Sequence, residues 1–194
     1  MSPESIREAL SKHIPRTTPF EAHPDRAAVA LVLAGEDSRL QMCFIRRSSR
    51  TDDPWSGQMA FPGGRVSAGD VSAQAVAERE AREEVGLRLE ESYRLGALSE
   101  LPVHRAGAKT STVLSSFVYY LGPFPAPLTP DEEEVAEAYW APMADLWDPR
   151  NADYFGAYPA IHFQGHLIWG LTLRVLAQFA EALGRPLPGK IAAS

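Results

Sequence analysis

The segment from Gly63 to Leu87 constrains the fold of this chain more than any other stretch. It begins with the pair Gly63-Gly64 and continues into residues 72–85, which are rich in Ala, Glu, Arg and Gln and contain no internal Gly or Pro. Such a composition predicts an α-helix over 72–85, which Gly86 ends. The sequence therefore predicts a glycine turn that leads into a strongly charged helix.

Three carboxylates of this predicted helix share one face. Side chains three and four positions apart are neighbours on an α-helix, so Glu80, Glu83 and Glu84 lie within an arc of roughly 100°. Like charges at these spacings destabilise a helix by about 0.2–0.5 kcal/mol per pair. Two explanations are open: Arg79 and Arg82 neutralise a solvated face, or a divalent cation gathers the carboxylates.

The glycine pair favours the cation. Glycine permits backbone conformations and close approaches that other residues resist, so Phe61-Pro62-Gly63-Gly64 is typical of the wall of a binding site. Carboxylate and carbonyl oxygens are hard ligands that suit Mg²⁺ or Mn²⁺, and the pattern offers no soft donor for zinc. The sequence therefore predicts a Mg²⁺ or Mn²⁺ site where the turn meets the helix.

Bulk properties argue against several classes of function. The chain has 194 residues and a formal net charge of −6, whereas nucleic-acid-binding proteins usually carry a basic excess. No segment reaches the roughly 20 apolar residues of a membrane span, and the first residues lack the pattern of a secretory signal. We therefore expect a cytoplasmic protein with no membrane association and no stable nucleic-acid partner. Cys43, the single cysteine, lies in an apolar run and is expected to be a buried thiol.

Hydrophobic patterning predicts the remaining elements. Helical spacing over 3–13 and 167–183 predicts a first and a closing helix. Apolar runs predict strands at 27–33, 40–46, 93–97, 110–121 and 134–141, with a hairpin turn at 35–38. Strands between well-separated helices predict an α/β fold with a mixed sheet between helices. We expect a single domain over 1–194, with 1–25 as an N-terminal helical extension and 165–185 as the closing helix.

The segment 64–87 resembles the Nudix signature. In that signature a glycine is followed after five residues by an acid, and after seven more by Arg-Glu-apolar-x-Glu-Glu-x-Gly-apolar. The matching positions are Gly64, Asp70, Arg79, Glu80, Ala81, Glu83, Glu84, Gly86 and Leu87. The chain departs from the signature twice, because Asp70 replaces the usual Glu and eight residues separate it from Arg79. Both departures recur in one branch of the family.

That branch is the coenzyme A pyrophosphatase-like group, and a second set of motifs is similar to it. These motifs are Arg47-Ser48, Gly57-Gln58, Phe61-Pro62-Gly63-Gly64 and Asp70, and residues 168–172 are similar to a C-terminal segment of the same group. Trp55 stands where the group has a histidine. The resemblance covers residues 27–180, and its specific part is 46–87.

The resemblance implies a Nudix α/β/α sandwich with a mixed sheet and a metal-dependent hydrolase acting on the phosphoanhydride bond of a small nucleotide substrate. On the matching positions it implies metal ligation by Glu83 and Glu84, with Glu80 as a further ligand or the general base. It also implies that the carbonyl of Gly63 or Gly64 completes the coordination. Arg79 would orient the carboxylates by ion pairing. The base is left open between Glu80 and an acid on a distant loop, with candidates Glu100, Asp131, Glu132, Glu133 and Glu134.

Substrate contacts are predicted around the glycine pair. Arg46 and Arg47 present rigid forks suited to phosphate oxygens, although an arginine at a strand end is often only solvated. Trp55 is either a stacking surface for an adenine or buried scaffold. Gly63 and Gly64 complete the predicted substrate-binding set.

Three functional hypotheses follow. The first is hydrolysis of coenzyme A or its thioesters to adenosine 3′,5′-bisphosphate and a 4′-phosphopantetheine product, which the motifs before the glycines favour. The second keeps the chemistry but acts on ADP-ribose, a nucleotide sugar or a nucleoside triphosphate, which Trp55 favours. The third is a module that binds a nucleotide without turnover, which would not need three helix glutamates. A homodimer is a further expectation from the resemblance.

Overall fold

The computed structural model describes residues 1–21, 23, 25–49, 56–103 and 112–188. The α-helices are α1 (Pro3–Lys12), α2 (Ala73–Val85), α3 (Met143–Leu146) and α4 (Gly170–Ala182). The strands are β1 (Arg26–Ala34), β2 (Gln41–Arg47), β3 (Met59–Ala60), β4 (Gly63–Arg65), β5 (Arg94–Ala97), β6 (Leu101–Val103), β7 (Thr112–Tyr120), β8 (Val135–Pro142), β9 (Ala152–Phe155), β10 (Tyr158–Phe163) and β11 (His166–Trp169).

The central sheet is mixed. Strands β1 and β7 pair in parallel along their length, and β2 and β4 each pair with β1 in the antiparallel sense. Strand β8 pairs with β2 on one side, whereas β5 and β6 pair with β7 on the other. Within the described residues this sheet has eight strands, and β9, β10 and β11 form a separate antiparallel sheet. The predicted mixed sheet is therefore confirmed.

Helices cover both faces of the central sheet. In β2 the side chains of Met42 and Phe44 pack in a core that includes residues of α4, whereas Cys43 and Ile45 pack in a second core that includes residues of α2. This alternation follows from the two-residue period of a strand. The layers are those of the predicted α/β/α sandwich, and Cys43 is buried as predicted.

Local signals account for the boundaries of α2. The hydroxyl of Ser72 caps its first turn by accepting a 3.0 Å hydrogen bond from the N–H of Ala75. Gly86 ends the helix with a φ of 75°, a left-handed conformation that glycine adopts without steric cost. The predicted first helix and the predicted strands are also present, with ends shifted by a few residues where the structure describes them.

The predicted closing helix is wrong in its first part. Residues His166–Trp169 form β11, which pairs with β10, and α4 begins at Gly170. The apolar run at 167–169 fits either a strand or a helix. The chain changes from β11 to α4 at Gly170, which has a φ of 60°. Strands β9 and β10, and the short helix α3, were not predicted. Among the described helices, none has the length and apolar character that a membrane span requires.

Candidate metal and substrate site

The glycine pair brings β4 against α2. The backbone N–H of Gly63 donates a 2.8 Å hydrogen bond to Oε2 of Glu84. A Cβ atom added to Gly64 would lie 2.5 Å from the carboxylate carbon of Glu80, and one added to Gly63 would lie 2.7 Å from Cα of Val29 in β1. Because no side chain fits at either position, both glycines are needed for the carboxylates of α2 to lie against this turn.

Three carboxylates converge at this turn. Oxygen atoms of Glu80, Glu84 and Glu134 lie within 4.8 Å of one another. Glu80 and Glu84 occupy successive turns of α2, whereas Glu134 comes from the loop that immediately precedes β8. The side chain of Glu80 is 12% exposed and Glu84 is 2% exposed as a residue. Glu80 and Glu84 are therefore largely withdrawn from bulk water, whereas Glu134 closes the group from the exposed side.

Burial changes the acidity of the two helix carboxylates. It raises the pKa of Glu84 to about 8, although the hydrogen bond from Gly63 opposes the shift, and the nearby charge of Glu80 adds to it. Burial likewise raises the pKa of Glu80, against the opposing influence of Arg79. Both shifts have the direction expected when a charged carboxylate loses its hydration. A cation between these oxygens would offset that cost.

Arg79 ties the carboxylates of α2 to the turn after β4. Its Nη1 donates 2.8 Å hydrogen bonds to Oε1 of Glu80 and to Oε2 of Glu83. Its Nε and Nη2 donate 3.1 Å hydrogen bonds to the two oxygens of Asp70. The hydrogen bond from Arg79 holds the pKa of Asp70 below its usual value, and the guanidinium pKa of Arg79 is raised in return. One planar guanidinium therefore fixes three carboxylates.

Glu83 does not join the converging group. Its side chain is 50% exposed and pairs with Arg79 at 2.8 Å and with Arg82 at 3.8 Å. The third member of the group is Glu134, one of the acids that the sequence analysis considered only as a base. Metal ligation by Glu83 and by the carbonyl of Gly64 stays a prediction. The acidic run at 131–134 just before a predicted strand was the sequence signal for Glu134.

A cavity of about 400 Å³ opens beside the carboxylates. The carboxylate residues Glu80, Glu84 and Glu134 line this cavity, and Arg47 lines it as well. Its apolar wall is made of side chains from several elements, namely Ala27, Val29, Met59, Phe61, Val103, Leu114, Leu171 and Val175. The hydroxyl of Thr172 donates a 2.9 Å hydrogen bond to the carbonyl of Met59, which joins the first turn of α4 to β3.

The two predicted phosphate-binding arginines lie in different surroundings. Arg47 lines the cavity, together with residues of α2 and α4. Arg46 pairs instead with Glu137, with Nε 3.1 Å from Oε1, and Glu137 also accepts from Tyr139. A phosphate contact by Arg46 stays a prediction. Trp55 lies outside the described residues, so its predicted substrate contact also stays a prediction.

Glu100, another candidate base, belongs to a separate network. Its carboxylate accepts a 2.7 Å hydrogen bond from the N–H of Thr18, a 2.9 Å hydrogen bond from the hydroxyl of Ser115 and a 3.4 Å contact from Arg26. Burial raises the pKa of Glu100, but these hydrogen bonds outweigh it, so the pKa is lowered overall. Glu100 therefore anchors the segment after α1 to the sheet.

The donor set fits a hard divalent cation. Glu80, Glu84 and Glu134 offer carboxylate oxygens, which are the preferred ligands of Mg²⁺ and Mn²⁺. Neither His nor Cys belongs to this group. In addition, the buried carboxylate of Glu84 has Arg47 as a nearby positive charge but gains like-charge repulsion from Glu80 and Glu134. The site thus combines carboxylate ligands with a mutual repulsion between them that a cation would relieve.

A mixed sheet between helical layers, with helix carboxylates gathered beside a glycine turn, defines the Nudix class of α/β proteins. A model of the NUDIX domain matches residues 24–162. The chain therefore belongs to the Nudix family, as its sequence predicted.

Individual relatives refine this assignment. The chain is 40% identical over 162 residues to an uncharacterized protein of Schizosaccharomyces pombe, covering 74% of this chain and 49% of that protein. It is 32% identical over 180 residues to the mitochondrial coenzyme A diphosphatase of Homo sapiens, covering 88% of this chain and 74% of the human protein. The crystal structure of a MutT/nudix family protein from Enterococcus faecalis has the same fold, with a TM-score of 0.54, 17% identity, and coverage of 89% and 64%. The chain thus spans about half the length of the yeast relative.

Proposed function

We propose that this protein hydrolyses the phosphoanhydride bond of coenzyme A or its thioesters. Water adds across the bond, and the products are adenosine 3′,5′-bisphosphate and 4′-phosphopantetheine or its acyl derivative. The reaction would depend on Mg²⁺ or Mn²⁺. The proposal combines a site that suits pyrophosphate chemistry with the similarity to a coenzyme A diphosphatase.

The convergence of Glu80, Glu84 and Glu134 carries the hydrolase part of the proposal. These three side chains would hold the metal, whose chemistry when bound is to neutralise pyrophosphate oxygens and activate water. The N–H of Gly63 keeps the carboxylate of Glu84 in place, and Arg79 does the same for Glu80. Such preorganisation matters because a mobile carboxylate would lose its position each time the substrate left.

Arg47 supports a phosphate-binding role for the same cavity. Arg47 is one of the residues that line the cavity, and a guanidinium is a fork of N–H donors suited to phosphate oxygens. It also contributes positive charge near Glu84. An anionic substrate is thereby attracted to a site that is otherwise acidic.

The choice of coenzyme A rests on similarity and on the character of the cavity. The human relative that covers most of this chain is a coenzyme A diphosphatase. The cavity lining also contains apolar side chains, with Met59, Leu171 and Val175 among them. An uncharged arm beside a pyrophosphate, as in coenzyme A, fits a cavity whose lining includes both carboxylates and apolar side chains.

Product identification tests the proposal. The purified protein would be incubated with Mg²⁺ or Mn²⁺ and with coenzyme A, acetyl coenzyme A, ADP-ribose, a nucleotide sugar and a nucleoside triphosphate. We expect the highest kcat/KM with coenzyme A or its thioester, and the bisphosphate product by mass spectrometry. Glu84→Gln should be inactive, while Glu90→Gln, a surface change on the loop after α2, should match the wild type. Preferred cleavage of another compound would overturn the proposed substrate. Binding without cleavage would overturn the proposed activity.

A further inference from the structure

Glu80, Glu84 and Glu134 form the cluster of three carboxylates, but Glu134 belongs to a different part of the fold from the two helix residues. The two helix residues are held by α2 itself, whereas Glu134 lies in the segment between β7 and β8. Its position therefore depends on how this segment, here called the 129–134 loop, attaches to the rest of the protein.

The 129–134 loop is attached to the carboxyl end of α2. The N–H of Thr129 donates a 3.0 Å hydrogen bond to the carbonyl of Val85, and the N–H of Asp131 donates a 3.0 Å hydrogen bond to the carbonyl of Glu84. The last carbonyls of a helix have no partner within the helix. The loop is therefore attached through two such carbonyls, and one of them is the backbone carbonyl of Glu84, a member of the cluster of three carboxylates.

Gly86 leaves the space that this attachment needs. A Cβ atom added to Gly86 would overlap Oγ1 of Thr129 and lie 3.3 Å from Cβ of Thr129. The residue thus has two roles, because it also adopts the left-handed φ of 75° that ends α2. A larger residue would overlap the side chain of Thr129, which would have to rotate or move together with the loop.

The remainder of the loop is fixed from Asp131 to Glu134. The carbonyl of Asp131 accepts a 3.1 Å hydrogen bond from the N–H of Glu134, and its Oδ1 accepts a 2.9 Å hydrogen bond from the N–H of Glu133. The N–H of Ser48, just after β2, donates a 2.9 Å hydrogen bond to the carbonyl of Glu134. A displacement at Thr129 would therefore be passed to Glu134 through a short, hydrogen-bonded segment.

We propose that the contact between Gly86 and Thr129 is a positioning device that sets Glu134 in the metal site from the end of the helix that carries Glu80 and Glu84. Gly86 and Thr129 are positioning residues, since neither belongs to the carboxylate group. The inference rests on the metal site of the proposed function but not on the identity of the substrate.

The test compares Mn²⁺ affinity, measured by calorimetry without substrate, across matched variants. Glu134→Gln measures how much the Mn²⁺ Kd rises when this carboxylate is lost. Gly86→Ala should raise the Mn²⁺ Kd by a similar factor, about tenfold. Gly184→Ala is the control, because Gly184 also has a left-handed φ of 64° at a helix end but nothing lies within 4 Å of an added Cβ. It should change the Kd by less than about twofold.

A second variant separates displacement of the loop from strain at Gly86. In Gly86→Ala/Thr129→Ala the overlapping hydroxyl is absent and the backbone strain at residue 86 is the same. The remaining approach of 3.3 Å to Cβ of residue 129 needs only a small shift, so the Mn²⁺ Kd should return most of the way to the wild-type value. If the double variant binds Mn²⁺ as weakly as Gly86→Ala, or if Gly86→Ala binds Mn²⁺ normally, the proposal is overturned. A wild-type protein that binds Mn²⁺ but does not cleave coenzyme A contradicts the proposed substrate alone.

Discussion

The backbone N–H of Gly63 in β4 donates a 2.8 Å hydrogen bond to the carboxylate of Glu84 in α2, and the two residues are 21 positions apart in the sequence. The bond supplies one fixed donor to a carboxylate whose residue is 2% exposed and whose pKa burial raises to about 8. A single donor does not replace the hydration of a charged carboxylate. Glu84 is therefore positioned by the protein but left short of positive charge.

Replacing Glu84 should separate stability from activity. Glu84→Gln keeps the shape of the side chain but removes the charge, so we expect kcat/KM to fall at least about 100-fold. Without metal, the same variant should unfold at a higher temperature than the wild type at pH 8, because an uncompensated charge is no longer buried. Thermal unfolding and steady-state kinetics on the same preparations check both parts. A variant that loses activity because it is less stable would contradict this role of Glu84.

The stability of the metal-free protein should fall as the pH rises. Between the ordinary pKa of 4.5 and the folded-state pKa of about 8, the folded protein holds a proton on Glu84 that the unfolded chain has released. The free energy of unfolding therefore decreases from pH 5 to pH 8, by an amount on the order of 3–5 kcal/mol from this group. Mn²⁺ should reverse the trend, since it binds the ionised form. A metal-free protein equally stable at pH 5 and pH 8, with Glu84→Gln as the reference, would contradict the expectation.

Gly64 should tolerate no side chain. In Gly64→Ala the new Cβ meets the carboxylate of Glu80, which must move, and we expect a loss of kcat of about tenfold or more with weaker Mn²⁺ binding. Gly156→Ala, in the turn between β9 and β10 where an added Cβ meets nothing within 4 Å, is the control. Equal kinetics for the two variants would show that Glu80 does not need its observed position.

The guanidinium fork of Arg79 should matter beyond its charge. Arg79→Lys retains the charge but cannot bond Asp70, Glu80 and Glu83 together, so we expect kcat/KM to fall about tenfold. Because the pKa of Asp70 is lowered in the folded state, its pairing stabilises the protein above the unfolded pKa of about 3.8 and is lost as the pH falls through the folded value. Acid unfolding should therefore begin at a higher pH in Arg79→Lys. A variant with an unchanged acid transition would remove Asp70 from this account.

Glu134 and Glu83 should differ in their effect on metal binding. Glu134→Gln removes one of the three converging carboxylates, whereas Glu83→Gln changes a half-exposed side chain paired with Arg79 and Arg82. We expect the Mn²⁺ Kd to rise about tenfold in the first variant and by less than about threefold in the second. The reverse order, measured by Mn²⁺ electron paramagnetic resonance, would support the assignment of Glu83 that the sequence suggested.

Much of this site could be predicted because its signals are local. Helix α2 has a cap at Ser72, a stop at Gly86 and the spacing that places Glu80 and Glu84 on one face, all within one short stretch. The sequence could not show that Glu134, rather than another acid of the run 131–134, joins Glu80 and Glu84. Its selection depends on hydrogen bonds between the loop and the end of α2, which are tertiary contacts without a sequence pattern.

Two other differences have identifiable physical causes. Arg46 and Arg47 are consecutive in β2, but the register of β2 against β8 shifts between them; Arg46 pairs with Glu137 of β8, and of the two only Arg47 lines the cavity. Such a shift of register depends on the pairing with β8 and has no signal in the local sequence. The small sheet of β9, β10 and β11 was harder, because Tyr154, Phe155 and Tyr158 are exposed and give no alternation between polar and buried apolar residues.

The position of the metal tests the central claim most directly. Crystals of the protein soaked in Mn²⁺ would be measured at a wavelength where manganese scatters anomalously, with Glu84→Gln crystals treated in the same way. The account predicts a strong peak in the wild type between the carboxylates of Glu80, Glu84 and Glu134, and a weakened or absent peak in the variant. A peak elsewhere in the protein, or a peak of equal height in Glu84→Gln, would contradict it.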